Sequence, residues 1–309
     1  MPLADELDLP LAQREIPEAE YENNTVYIGL WLNNIYSYQY LSGSYTLDIY
    51  LYFFWVDPNI ETIDWYLMNG YPVNPATTVL VSSDLTGDVK YEIYRITGAF
   101  SSPPDASDFP FDTIELVVAV ELLTHGYNIQ LVWLENETGI DPGFENSRWV
   151  TTDIELSVAT HSYPLAVELP RAEMVVTQQR QRAATSIQSF ITPIIFSIVS
   201  GFSFLFNLKD AGSVGLRLGL NTSMLVTTLL FNFSISATIP PSSSLTIYSL
   251  FMLSTLVFMV MNLIVTIVGF VLWFFYKNEA LTRRANRWGF ILSLIVPVIF
   301  FVIFYLFRI

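Results

Sequence analysis

The chain contains no cysteine, only two histidines and, with Asp, Glu, Lys and Arg at 14%, little charge for its 309 residues. Without cysteine there are no disulfides, thiolate metal sites or cysteine nucleophiles. Two histidines, His125 and His161, leave little for a zinc site or a catalytic triad. Bases are scarcer than acids, 14 against 29, and a net charge of −15 is the opposite of the basic surface that nucleic acid requires. What abounds is apolar: 52% hydrophobic residues, 15% aromatic, and a mean hydropathy of +0.44, beyond an ordinary soluble domain.

These averages conceal a division. Residues 1–172 hold 26 acids and 5 bases, a net of −21, whereas residues 173–309 hold 3 acids and 9 bases, a net of +6. Such asymmetry predicts two domains in different electrical surroundings: a short N-terminal segment (1–19), an acidic domain (20–182) and a nearly uncharged one (183–309).

The second domain is expected to form four membrane-spanning helices, 186–207, 214–238, 245–276 and 288–308, since about 20 apolar residues cross a bilayer. Pro193 and Pro297 interrupt two of them, as membrane spans tolerate. The loop between the third and fourth spans is expected to hold Lys277, Arg283, Arg284 and Arg287 against Glu279, which by the positive-inside rule makes it cytoplasmic. The acidic N-terminal domain and the loop 239–244 then face outward. The start MPLADELDL carries no signal peptide, so the numbering is expected to begin at a mature or engineered terminus.

The first domain reads as all-β. Residues 25–56 are rich in Tyr, Ile, Val, Phe and Trp, alternate apolar with polar, and are broken by a Ser42-Gly43-Ser44 turn. Further strand-like runs occupy 77–82, 89–97, 113–122, 128–134, 149–160 and 166–177, with turn signals between them. Many short strands at this spacing predict a sandwich or barrel. No Ser/His/Asp set, metal motif or glycine-rich phosphate loop is present, so no enzyme activity and no cofactor are expected.

Between the β-domain and the spans lies Phe109-Pro110-Phe111-Asp112. Preceding a strand, this sequence resembles the signature loop of the pentameric ligand-gated ion channels (Cys-loop receptors), in the prokaryotic form that lacks the bracketing cysteines. Trp55-Val56-Asp57, Pro193 and Ile239-Pro240 resemble further family positions in the same order, over about residues 20–309. The resemblance implies a homopentamer in a bacterial or archaeal cell membrane. Each subunit would supply an extracellular β-sandwich of immunoglobulin-like topology and a four-helix transmembrane domain, and would open to permeating ions on an extracellular signal.

It also makes the second span the pore helix. Steps of four and three place Gly219, Ser223, Val226, Leu230 and Phe233 on one stripe, small and polar inward, bulky and apolar outward. Such rings can gate by dewetting; the alternative is that the stripe packs on a neighbouring helix. Arg217 is expected to be a snorkelling anchor at the inner end. Selectivity departs from both family patterns, because Val214-Gly215-Leu216 replaces the expected carboxylate or proline-alanine pair. The acidic domain favours cations, with an anion channel or a pore-less membrane receptor as alternatives.

The resemblance places the ligand site between subunits, where Tyr50, Tyr127 and Tyr163 are the candidate aromatics. The alternative is that they are ordinary strand tyrosines. Protons, through His125 and His161, or Ca²⁺, through Glu135, Glu137, Asp141 and Glu145, are candidate modulators, with plain solvated loops as the alternative. Coupling is expected where Ser42, Gly43, the loop Phe109, Pro110, Phe111 and Asp112, and Arg180 or Arg182 meet Pro240 and Pro241. Asp112 is expected to pair with one of the two arginines, and both stay open at this point.

Overall fold

The computed structural model describes residues 17, 21–73, 77–123, 129–144, 149–164, 167–242 and 244–306, with backbone only at 72, 144, 182–184, 300, 304 and 305. The chain divides into two compact units. One comprises residues through Pro103 together with Ile114–Gln178; the other joins Pro104–Thr113 to Gln179–Ile309.

The first unit is built of strands. They are β1 (Thr25–Gln39), β2 (Ser44–Trp55), β3 (Trp65–Leu67), β4 (Gly70–Pro72), β5 (Thr78–Asp84), β6 (Lys90–Ser101), β7 (Thr113–Leu122), β8 (Gln130–Trp133), β9 (Gly139–Ile140), β10 (Trp149–Tyr163) and β11 (Val167–Arg180). The larger sheet runs β4-β6-β2-β1-β8, with β5 on β6 and β9 on β1; the smaller runs β10-β11-β7-β3. The β1–β2 hairpin turns at Gly43, whose φ of 64° is the left-handed conformation that glycine adopts without strain.

One core takes residues from both sheets. Ile28, Leu30, Leu47, Ile49, Leu51 and Phe53 of the larger sheet are buried with Leu116, Val118, Met174 and Val176 of the smaller. The other face of β1 and β2 is also covered, by a second cluster of Tyr27, Tyr50, Tyr52, Phe54, Ile93 and Leu134. This double burial corrects the one-sided alternation expected of residues 25–56, since β2 from Leu47 to Trp55 is buried at every position.

Polar groups inside this core are matched. The Tyr45 hydroxyl donates to the Val117 carbonyl and accepts from its N–H, both at 2.8 Å. Fully buried Asp48 accepts from Arg95 Nε at 3.1 Å and Nη2 at 2.8 Å, and from Asn33. Trp55 Nε1 donates to the Ile60 carbonyl, and Asp57 accepts the backbone N–H groups of Asn24 and Asn59.

The second unit contains α1 (Arg182–Phe202), α2 (Ala211–Ser236), α3 (Ile247–Tyr276) and α4 (Glu279–Leu306). All four are long and apolar enough to cross a membrane. Asp210 caps α2 by accepting the Ser213 N–H at 2.9 Å, and Thr246 caps α3 by accepting that of Ser249 at 3.0 Å. The basic loop expected between the last two spans is corrected. Only Lys277 and Asn278 connect α3 to α4, and Arg283, Arg284 and Arg287 lie on the first turns of α4. Helix propensity and capping extend α4 well beyond its apolar stretch, which hydropathy alone cannot register.

Three helices are tied by a buried polar cluster. Ser200 of α1 donates to Asn221 of α2 at 2.9 Å and accepts from Asn262 of α3 at 3.0 Å, and Asn221 reaches Thr266 of α3 at 3.5 Å. All four side chains are fully buried. Hydrogen bonds of this kind stand in for water that lipid does not provide.

Candidate functional site

α2 has two contrasting faces. Val214, Arg217, Asn221 and Thr228, spaced three, four and seven residues apart, are buried against the other helices. Gly219, Ser223, Val226, Leu230 and Phe233 all lie on the exposed side, the last three at 49%, 64% and 67% exposure. Thr222, Thr227 and Ser234 flank them and are exposed too, so the stripe is the centre of a broad open band. A Cβ at Gly219 would meet nothing within 4 Å.

Arg217 is not a snorkelling anchor, which corrects that expectation. Its side chain turns inward, is 0% exposed, and lies with its guanidinium carbon 4.2 Å from the Phe204 ring centre. Nη1 donates to Asn286 Oδ1 of α4 at 2.7 Å, while Nε and Nη2 meet no acceptor among the described residues. Its register on the buried face, in line with Val214 and Asn221, dictates this direction.

The loop carrying Phe109 to Asp112 belongs to the same unit as the helices. The carbonyl of Phe109 accepts the Tyr248 N–H of α3 at 3.1 Å, and the two rings meet edge to face at 5.8 Å. Phe111 lies against Phe190 of α1, 6.2 Å between centres. The Phe109–Pro110 bond is cis. Asp112 accepts Arg180 Nε at 2.8 Å and Nη2 at 3.0 Å, and its carbonyl accepts the Arg180 N–H. The guanidinium carbon of Arg180 also sits 5.3 Å from the Phe109 ring centre. The paired arginine is thus Arg180; the side chain of Arg182 lies outside the described residues. Pro240 is buried and Pro241 exposed. Ser42 and Gly43 belong to the first unit, where Ser42 bonds Ser44 and the Gly43 carbonyl accepts the Ser102 N–H.

The candidate ligand tyrosines are separated in kind. Tyr50 is 7% exposed, burial pushes its hydroxyl pKa up, and the Arg95 guanidinium already lies 5.5 Å from its ring centre. Tyr163 closes a compact polar triangle. Its hydroxyl lies 2.9 Å from Glu121 Oε1, and Arg171 donates to both Glu121 Oε2 and the Tyr163 oxygen. Glu121 is the buried carboxylate there, and Arg171 neutralises it. Beside the triangle is an apolar recess of about 470 Å³ lined by Tyr66, Met68, Leu123 and Val167. The ring of His161 stands 4.6 Å from that of Tyr163. Tyr127, His125 and Glu145 lie outside the described residues.

Glu135 and Glu137 sit on a single 3₁₀ turn, and Asp141 spends one oxygen on the Gly143 N–H. Among the described residues, no three His, Asp or Glu side chains converge on a common point that could hold a metal ion.

Sequence reasoning missed Tyr248, the Glu121–Arg171 pair and the Ser200–Asn221–Asn262 cluster. The last had a signal: asparagines inside apolar spans require partners. No protein-family model matches the chain, and no curated protein sequence matches it.

Proposed function

We propose that this chain is one subunit of a homopentameric, ligand-gated ion channel of the Cys-loop type, with α2 lining the pore. The observation that carries the reading is the two-faced character of α2. One face is packed and polar-bonded to its own subunit; the other leaves Gly219, Ser223, Val226, Leu230 and Phe233 exposed. Five such faces around an axis would make a channel narrowing to apolar rings at Val226, Leu230 and Phe233, which close by dewetting. The first unit would be an extracellular domain of immunoglobulin-like topology, and the −21 of residues 1–172 would concentrate cations at the mouth. The function needs no chemical turnover, only a population shift between closed and open states.

The agonist reading follows the Tyr163 triangle. Arg171 pairs with Glu121, the carboxylate that lines the recess, while Glu173, 3.9 Å from the same guanidinium, is not part of the lining. A neutral or apolar group fits the recess beside Tyr66 and Met68 better than an ammonium ion.

The deciding experiment is reconstitution into planar bilayers with voltage clamp, across pH, Ca²⁺ and small neutral ligands, with Na⁺/Cl⁻ substitution and the mass of the assembly measured alongside. A pentamer with reversal potentials following Na⁺ is expected. Silence under every condition from an assembly that is not pentameric overturns the channel reading in favour of a pore-less receptor.

A further inference from the structure

Beside β8 and β10, which lie at the edges of their sheets, the first unit carries a cleft of about 640 Å³. That is within the range of about 300–1,000 Å³ usual for small-molecule sites. The larger sheet contributes the first residues of β1 and β8, Thr25 and Gln130, which parallel pairing sets side by side. The smaller sheet contributes Val158 and Thr160 of β10 and Pro170 of β11. Glu22, Asn23 and Asn24, leading into β1, complete the polar lining.

Asn24 is fixed with care. Its φ of 59° is left-handed, a conformation that asparagine tolerates. Its N–H donates to Asp57 Oδ2 at 3.2 Å, and its carbonyl accepts the Gln130 N–H at 2.8 Å. Asp57 is buried and is itself held by Asn59 through Oδ1. Glycine would meet the same backbone need without strain. The Asn24 carboxamide is therefore surplus to the turn, and it lines the cleft. The side chains of Asn23, Asn24, Gln130 and Thr160 make no hydrogen bond among the described residues, and that of Glu22 makes no ion pair.

The donor set selects a ligand class. No Lys or Arg lines the cleft, so a phosphate or carboxylate would find no counter-charge. No aromatic ring lines it, so neither a quaternary amine nor a nucleobase would find a face to sit on. Glu22 is the one acid in the lining, too few for a divalent cation. What remains is three carboxamides and a hydroxyl, each able to donate and accept, like the hydroxyls of a sugar. Val158 and Pro170 supply apolar surface for its C–H groups.

We propose that this cleft binds a small neutral saccharide, free in solution, through the Asn23, Asn24 and Gln130 amides and the Thr160 hydroxyl. The inference rests on the first unit alone and holds whether or not α2 lines a pore.

The test is equilibrium dialysis of the full chain, held in lipid nanodiscs, against radiolabelled glucose, galactose, maltose and trehalose. At least one should bind saturably at a single site per chain. Asn24→Gly keeps the left-handed backbone and removes only the carboxamide; it should weaken binding about five-fold, the effect of one lost hydrogen bond. Gln130→Ala and Thr160→Val should each act alike. Glucosamine and gluconate should bind no tighter than glucose, and maltoheptaose no tighter than maltose. Absence of saturable binding by all four sugars, or unchanged affinity in both Asn24→Gly and Gln130→Ala, overturns the proposal. So does tighter binding of either charged sugar, which would mark an ion site, or a steep gain with maltoheptaose, which would mark a polysaccharide surface. Gln130 and Thr160 are exposed, so their variants decide the matter even if Asn24→Gly does not fold.

Discussion

Asp112 and Arg180 form a two-pronged ion pair, Oδ1 to Nε at 2.8 Å and Oδ2 to Nη2 at 3.0 Å, with the carboxylate entirely buried and the guanidinium 13% exposed. A backbone hydrogen bond from Arg180 to Asp112 runs alongside it. The loop 104–113 is thereby clamped to the residue two positions before α1, while Phe109 and Phe111 bind the same loop to α3 and α1. Planar, bidentate geometry of this kind is not reproduced by lysine.

Breaking that pair should be costly and non-additive. Asp112→Asn or Arg180→Gln alone leaves a buried charge unpaired and should destabilise by about 3–5 kcal/mol. The charge-swapped double variant should recover part of the loss. Thermal unfolding of the four proteins in detergent gives the coupling energy; purely additive effects would show that the pair does not act as a unit.

Val226→Ser and Phe233→Ser each replace an exposed apolar side chain of α2 with a hydroxyl. If these rings close a pore, each substitution should wet the constriction and raise the open probability without agonist. Single-channel recording checks it. An unchanged open probability in both variants would remove the gate from this stripe.

Tyr45→Phe removes a hydroxyl that serves both backbone groups of Val117. The carbonyl keeps the Asn69 amide at 2.7 Å, but the N–H is left unpartnered inside the core. A loss of about 1–3 kcal/mol follows, read as a drop of several degrees in the near-ultraviolet circular dichroism melt. An unaltered melt would mean that water reaches Val117.

Glu92 is 4% exposed, and burial raises its pKa above the ordinary carboxylate value; Tyr94 and the Ile63 N–H, which bond it, oppose the shift, and nearby Asp64 adds to it. An acid whose folded pKa is raised binds its proton more tightly when folded. Stability is therefore highest below the unfolded value and declines as pH climbs from about 4.5 through the raised one. Glu92→Gln should remove that decline and melt higher than wild type at neutral pH. A variant with the same slope as wild type would locate the pH dependence elsewhere.

Much of this was legible in the sequence where one signal dominates. Residues 113–122 combine a strong β pattern with flanking turn residues, and β7 spans Thr113–Leu122. The apolar lengths that mark the spans are equally plain, yet helix ends were not. α1 begins at Arg182 and α4 at Glu279, because polar and charged residues continue a helix past the apolar stretch. β3 and β4, three residues each, are too short to show a period and exist through pairing with β7 and β6. The inward turn of Arg217 is invisible to hydropathy, which scores a charge without its direction. Its position three residues after Val214 and four before Asn221 held the answer only once the packed face of α2 was known. For Asp112 the family resemblance left two arginines eligible, and geometry selected Arg180.

The polar cluster of Ser200, Asn221, Asn262 and Thr266 has a consequence for biogenesis. Of the four helices α2 is the least hydrophobic, with a mean hydropathy of 1.3 against 2.5 for α3. It also carries Arg217 and Asn221, which a lone helix would present to hydrocarbon at considerable cost. Their partners lie on α1, α3 and α4. Stable residence of α2 in lipid is therefore a property of the assembled bundle, and its partition from the translocon should await α3 and be completed by α4.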